Sequence, residues 1–193
     1  MRYHRSDIVE RAVGILDLYG LPDMSMRRIA SELGLQPSAL YHHFANKQAL
    51  LAAVADELLE RGARPAPTDA NWDEQVLAVS RELRDAMLAY RDGAELIATV
   101  HAFGLGASAL DGRVARAISA GGFDDSFARS AATTILYFVF GHVSDEQTHL
   151  QANSAGAIDD EPLDRADADS FELGLTLILD GIRQRQPTQA ASA

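Results

Sequence analysis

Residues 37–47, PSALYHHFANK, gather a serine hydroxyl, a phenol, two imidazoles and the only lysine of the chain into eleven positions. Hydroxyl, imidazole and ammonium groups are the donors that reach phosphate oxygens and base edges of nucleic acid. A slim helix that begins Pro37-Ser38-Ala39 can approach base edges in a major groove, and its free N–H groups suit a phosphate oxygen. Tyr41 and Lys47 then stand at the flank, hydroxyl and ammonium towards the sugar–phosphate backbone. Gln36, His42 and His43 lie beside them, and Arg27 could reach a base or phosphate across the groove. On spacing alone the plainer readings stay open: His42 and His43 also suit a solvated surface, and Tyr41 a core position. A short helix pair with a glycine turn occurs in many α-helical proteins.

Those side chains need elements to hold them, and the sequence predicts helices throughout. Ser6 can cap a first helix, with Asp7 near the positive end of its dipole. Ile8, Ala12, Ile15, Leu16 and Tyr19 form one stripe of a 3.6-residue period, and Gly20 with Pro22 ends it. Ser25 caps a short second helix with Met26, Ile29, Ala30 and Leu33 inward. Gly34 stops that helix, and Pro37 opens a third of roughly two turns, with Leu40 and Phe44 inward. Asn46 caps a fourth that runs to about Glu60. This is a helix-turn-helix pattern, whose second helix must be short, thin at its leading end and rigidly held.

Residues 61–71, RGARPAPTDAN, break the pattern and predict a boundary between a first domain, 1–60, and a second, 61–193. Further helices are expected over Trp72–Tyr90, around Leu96–His101, around Arg113–Ser119, over 124–150 and over about 170–185. Residues 152–170 are acidic and read as a mobile loop, and PTQAASA as a frayed tail. The fold class is all-α, with no β pattern and no repeat.

Charge also divides the chain. Its net charge is −11. Residues 1–50 hold six basic and five acidic side chains, whereas the other 143 residues hold eleven basic and twenty-three acidic. A near-neutral end on an acidic body fits an end that contacts nucleic acid. There are no cysteines, which excludes disulfides, thiolate metal sites and cysteine nucleophiles. No apolar run is long enough to span a membrane, and MRYHRSDIVE lacks the apolar core of a secretion signal, so a cytoplasmic protein is expected. Neither a Ser/His/Asp arrangement of recognisable spacing, nor a phosphate loop, nor HExxH is visible.

In the body, Met87, Phe103, Tyr137 and Phe138 could wall a mostly apolar pocket, with Thr99, His101 and His142 orienting a ligand. The same aromatics suit an ordinary core, and His142 beside Gly141 suits a dimer interface. Gly141, Gly174 and Gly181 permit close packing of the 124–150 and 170–185 helices, which are apolar enough for a four-helix dimer bundle.

Residues 6–60 resemble the DNA-binding domain of the TetR/AcrR family of regulators. SMRRIASELGLQPSALYHHFANKQALLAAV follows that family's T-x-R-x-I-A-x-x-L-G-V-s-x-x-x-L-Y-x-H-F-x-x-K-x-x-L pattern. The resemblance implies that Arg27, Pro37, Ser38, Tyr41, His43 and Lys47 face DNA. Gln36 departs from it, standing where the family often has a serine or threonine cap. WDEQVLAVSRELRDAMLAYRDGAEL and ILYFVFGHVSDEQTHL resemble the tetracycline-repressor subgroup. In that subgroup a histidine after R-D-G-A helps hold a magnesium chelate; here Ile97 takes its place, with His101 a turn later. Asp145 matches an acidic position of that site, and one carboxylate does not make a magnesium site. No metal or cofactor is therefore expected. The implied function is a ligand-responsive regulator, most simply a repressor, that binds a double-stranded operator as a homodimer and is released by a mostly apolar small molecule. It is not expected to be an enzyme. The competing reading is an α-helical small-molecule binder or enzyme with a non-functional DNA reader.

Overall fold

The computed structural model describes residues 3–65, 67, 69–106, 108–157 and 166–185. Among them the chain forms nine α-helices and no strand: α1 (Arg5–Tyr19), α2 (Met26–Glu32), α3 (Pro37–Tyr41), α4 (Lys47–Gly62), α5 (Trp72–Leu88), α6 (Gly93–Ala102), α7 (Ser108–Ala120), α8 (Asp125–Ser154) and α9 (Ala166–Arg183). They fall into two compact units. The first comprises Met1–Ala63 and Asp85–Ser108, the second Arg64–Arg84 and Ala109–Ala193, so α5 is divided between them. No helix among the described residues is long and apolar enough to cross a membrane.

In the first unit α1 packs on α4, α4 on α6 and α2 on α3. The predicted stripe of α1 is buried at Ile8, Ala12, Ile15 and Leu16, while Tyr19 lies outside and carries the Arg28 guanidinium over its ring at 3.9 Å. Ser25 Oγ accepts the Arg28 N–H at 3.2 Å and Asn46 Oδ1 the Ala49 N–H at 2.8 Å, so both expected caps are present. Gly34, at φ +66°, closes α2: the Leu35 N–H reaches the Ala30 carbonyl at 2.8 Å and the Gly34 N–H that of Ser31 at 3.0 Å. This left-handed closure is what turns the chain sharply enough to begin α3 three residues later.

Two local expectations differ. α1 begins at Arg5 rather than after Ser6, because the Asp7 carboxylate accepts the His4 N–H at 2.7 Å and fixes the start two residues earlier. α3 is five residues long rather than two turns. The His43 N–H bonds the Leu40 carbonyl at 2.9 Å, three residues back, which tightens the chain and ends the α-helix.

Arginine–carboxylate pairs that link separate segments lace the second unit. Arg84 forks onto Glu146, which is buried, and also faces the Phe171 ring at 5.3 Å. Arg113 pairs with buried Glu82, Arg81 with Glu172 at 2.7 and 2.6 Å, and Arg183 with Asp73. α8 packs on α9, and the Phe138 ring lies so close over Gly174 that a Cβ there would overlap it. Trp72 meets Phe123 edge-on at 5.3 Å. Of the acidic stretch expected as a loop, α8 reaches Ser154 and α9 begins at Ala166; residues 158–165, with Asp159, Asp160, Glu161 and Asp164, lie outside the described residues, as does the PTQAASA tail.

Arg81 holds the Glu172 carboxyl below its ordinary range, and Arg183 does the same for Asp73. A carboxylate depressed in the folded state contributes stability that is present above its unfolded pKa, about 4, and is lost as pH falls through the folded value. Glu172→Gln should therefore cost about 0.5 kcal/mol at neutral pH, the range of partly exposed pairs. It should also flatten the acid limb below about pH 4 in a series of thermal melts. An unchanged acid limb would remove the pair from the account of stability.

Candidate nucleic-acid interface

The candidate tip is built from the end of α2, the Gly34 turn, α3 and the start of α4. Leu40 and Phe44 are fully buried, and Leu33 nearly so. Phe44 is covered from outside by the Arg5 guanidinium, 4.7 Å from its ring centre. The polar candidates take the other side. Arg27, Gln36, Ser38, His42 and His43 are exposed, Tyr41 is 54 % exposed, and Pro37, Ala39 and Lys47 are half-buried. Among the described residues, none of the side chains of Arg27, Ser38, Tyr41, His42, His43 or Lys47 makes a hydrogen bond or ion pair. The Tyr41 ring is thus no core residue. Gln36 starts α3 without a side-chain cap, so the departure seen in the sequence has a structural counterpart.

The arrangement presents hydroxyl, imidazole, ammonium and guanidinium donors with no internal partner on a rigid, narrow edge. Donors of that kind lose little on transfer from water to phosphate or base acceptors, because no internal bond must break first. Arg28 differs from Arg27 in this respect: it is tied to Asp23 at 2.7 Å and stacked on Tyr19.

The turn behind α1 is held by a residue that the sequence did not single out. Asp92 stands in the left-handed region at φ +54°, the only non-glycine described there, and its carboxylate accepts the Leu21 N–H at 2.7 Å. Gly20, at φ +82°, makes room: a Cβ would overlap the Asp92 carboxylate and stand 3.2 Å from Arg91 Nε. Gly93 must also lack a side chain, since a Cβ would come 2.5 Å from the Met87 carbonyl oxygen. The R-D-G-A segment (91–94) is therefore a clasp from the α5–α6 elbow onto the turn after α1. In the sequence it carries the subgroup resemblance and falls between two predicted helices, with no sign of the contact to Leu21.

The ligand candidates fall in both compact units. Met87, Thr99, His101 and Phe103 belong to the first unit, where Met87 is buried and Phe103 is 61 % exposed. Tyr137, Phe138 and His142 belong to the second. Tyr137 is 66 % exposed. His142 lies among the Phe138 and Phe171 rings at 5.6 and 5.3 Å, and its Nε2 pairs with Ser170 Oγ at 3.0 Å. A cavity of about 480 Å³ opens elsewhere in the second unit, lined by the segment after α4, by α5 and by α7. None of the seven candidates lines it. Ile97 is fully buried, and the described residues contain no group of three or more His, Asp or Glu side chains placed to hold a metal.

Two family models match the chain: bacterial regulatory proteins of the tetR family over residues 8–54, and the tetracyclin repressor-like C-terminal domain over residues 64–169. The tetracycline repressor protein class A from transposon 1721 of Escherichia coli is 33 % identical, covering 93 % of this chain and 90 % of that protein. The crystal structure of Mycobacterium smegmatis BioQ is 40 % identical, with a TM-score of 0.86 over 94 % of this chain and 98 % of that one. BioQ with its double-stranded DNA operator gives 40 % identity and a TM-score of 0.79 over 95 % and 100 %. A variant of TetR from Acinetobacter baumannii AYE in complex with minocycline gives 29 % and 0.75 over 95 % and 98 %.

The clasp predicts a graded response. Asp92→Ala removes the acceptor and leaves an alanine in the left-handed region, which should cost roughly 2 kcal/mol. Asp92→Asn keeps an acceptor oxygen and tolerates that conformation, so it should lose less than half as much. Urea unfolding of both variants checks the order; equal losses would mean that the bond to Leu21 does not hold the turn.

Proposed function

This chain belongs to the tetR family of bacterial regulatory proteins, and on that premise we infer that it is a ligand-responsive transcriptional repressor, two copies of which hold operator DNA until a small molecule occupies the body. The observation that carries this reading is the tip. Leu40 and Phe44 are buried, while Ser38, Tyr41, His42 and His43 beside them are exposed and without internal partners. A surface kept rigid and polar, with its donors unspent, suits a groove of stacked bases.

In this reading Gln36, Pro37, Ser38 and Ala39 approach base edges, and Tyr41, His42, His43 and Lys47 contact the backbone, with Arg27 reaching from α2. Residues 1–60 are the reader, and 61–193 bind ligand and dimerise. Asp85–Ser108 is then the part of the body that is built into the reader's own compact unit. An effector can empty the operator only by binding the released state better than the DNA-bound state. Acting on operator DNA puts the protein in the cytoplasm, and its role is regulatory rather than catalytic.

Two copies are needed because a single short recognition helix covers too little DNA for specific affinity. The face available for pairing is on α8 and α9: Tyr137, Leu173 and Leu177 are each at least 59 % exposed, and Gly141 and Gly181 have nothing within 4 Å of where a side chain would start. Large apolar side chains beside gaps make a self-complementary surface for a two-fold pair.

Gel shift on DNA upstream of its own gene, with footprinting, tests the reading; an α-helical carrier or enzyme with an idle reader would bind none of it. Lys47→Ala should weaken binding on every sequence alike and lower the salt slope by about one. Ser38→Ala should instead change sequence preference. An equal loss on all DNAs for Ser38→Ala would remove it from base reading. Leu177→Glu should give monomers in sedimentation at micromolar protein and weaken operator binding at least tenfold; a dimer that survives it would place the interface elsewhere.

A further inference from the structure

The cavity in the second unit reverses the charge of its surroundings. Residues 51–193 hold eleven basic and twenty-three acidic side chains, yet the wall carries Arg64, Arg81, Arg113 and Arg116 against the single carboxylate of Glu82. That carboxylate is already engaged. It is buried and accepts from Arg113 Nη2 and from the Arg64 backbone N–H, both at 3.1 Å. Arg81 is engaged as well, forked onto Glu172, which is not part of the wall. Arg116 is different. Among the described residues its guanidinium has no hydrogen bond or ion pair, and it folds back over Gly112, where a Cβ would stand 3.1 Å from Nη1. The remaining wall includes apolar Val79 and Ala117. A volume of about 480 Å³ lies within the span of small-molecule sites, about 300–1,000 Å³.

We infer that this cavity is the effector site and that it takes an anionic, otherwise apolar small molecule whose carboxylate, phosphate or sulfonate head pairs with Arg116. This rests on the reading of the chain as a ligand-responsive repressor. The chemistry follows from what each wall residue has left to give. A guanidinium offers planar, forked donors that match the two oxygens of an anionic head. Arg113 is pinned by Glu82 with its remaining N–H groups available beside it. The Glu82–Arg113 pair also excludes a cationic head, because the one acid of the wall has no lone charge to offer. A neutral ligand would leave the forked donors of exposed Arg116 unused.

The test uses the full-length protein and two dyes with one skeleton. 8-Anilinonaphthalene-1-sulfonate carries an anionic head; N-phenyl-1-naphthylamine lacks it. Fluorescence titration should show the sulfonate binding at one site per chain at least tenfold more tightly than the neutral dye. Arg116→Gln should remove that advantage and leave the neutral dye unaffected. Arg116→Lys, which keeps charge without the fork, should restore part of it, and Arg129→Gln, on the exposed side of α8, should change nothing. Displacement of the sulfonate by octanoate or by octyl phosphate then tells which head the site prefers. Equal binding of the two dyes, or an Arg116→Gln protein that binds the sulfonate as wild type does, overturns the inference. Gel shift separates the two layers. If the protein holds operator and the dyes are not distinguished, the anion site fails and the repressor reading stands. If the sulfonate binds through Arg116 and no DNA is ever held, the repressor reading fails and the anionic cavity stands. If the sulfonate binds through Arg116 without loosening a held operator, the cavity is not the effector site and that part of the inference is withdrawn.

Discussion

A helix of five residues has no stability of its own, so the candidate DNA-facing tip depends on Leu40 and Phe44 being buried beneath it. Full burial of two such side chains contributes about 3–6 kcal/mol. Fixing the backbone of five residues costs about 5–10 kcal/mol. The two figures do not balance by themselves, and the structure supplies the rest at the edges. Ser25 and Asn46 cap the neighbouring helices, Gly34 sets the turn without strain, Pro37 arrives with its φ already restricted, and Arg5 covers the outer face of Phe44. Apart from Pro37, the residues that hold the tip are not among those proposed to read DNA. The reading residues can therefore vary without unfolding the part that presents them.

The distribution of paired and unpaired cations follows a related logic. In the second unit Arg81, Arg84, Arg113 and Arg183 each meet a carboxylate from a distant segment, so these cations are spent on structure. In the first unit Arg28 and Arg61 are likewise occupied, by Asp23 and by Glu10 and Glu57. Cations left without partners are then informative, because a chain with twenty-eight acids and seventeen bases has acids to spare. Arg27 and Lys47 at the tip, and Arg116 at the cavity, are among them. Each stands where an anion is the expected visitor.

What could be read in the sequence was whatever is decided within a turn or two of chain. The caps at Ser25 and Asn46, the stop at Gly34 and the inward pair Leu40 and Phe44 depend on residues at most four apart, and each is present. The start of α1 was displaced by a competing local contact, the bond from His4 to Asp7. In the body, aromatic residues at helical spacing suggest a pocket; Tyr137 and Phe103 are largely exposed, and the cavity of the second unit is lined by other residues. The clasp of Asp92 on Leu21 spans 71 residues, and the cavity wall draws on the segment after α4, on α5 and on α7. No spacing rule reports such pairs. The sequence does carry a trace of one of them, since an Asp-Gly pair between two helices is a place where a left-handed residue is tolerated.

The exposed apolar strip on α8 and α9 closes the physical argument about affinity. A tip of this size can make only a few base contacts, and each good bidentate contact discriminates by about 1–3 kcal/mol. Joining two tips turns the second binding event into an intramolecular one, so the two sets of contacts act nearly as a sum. The gain depends on the pair having one geometry, and in the proposed dimer the open space at Gly141 and Gly181 and the exposed Tyr137, Leu173 and Leu177 would supply the shape that fixes it. On that proposal, an apolar face left in water by one chain is the element that would let a five-residue helix select a site on DNA.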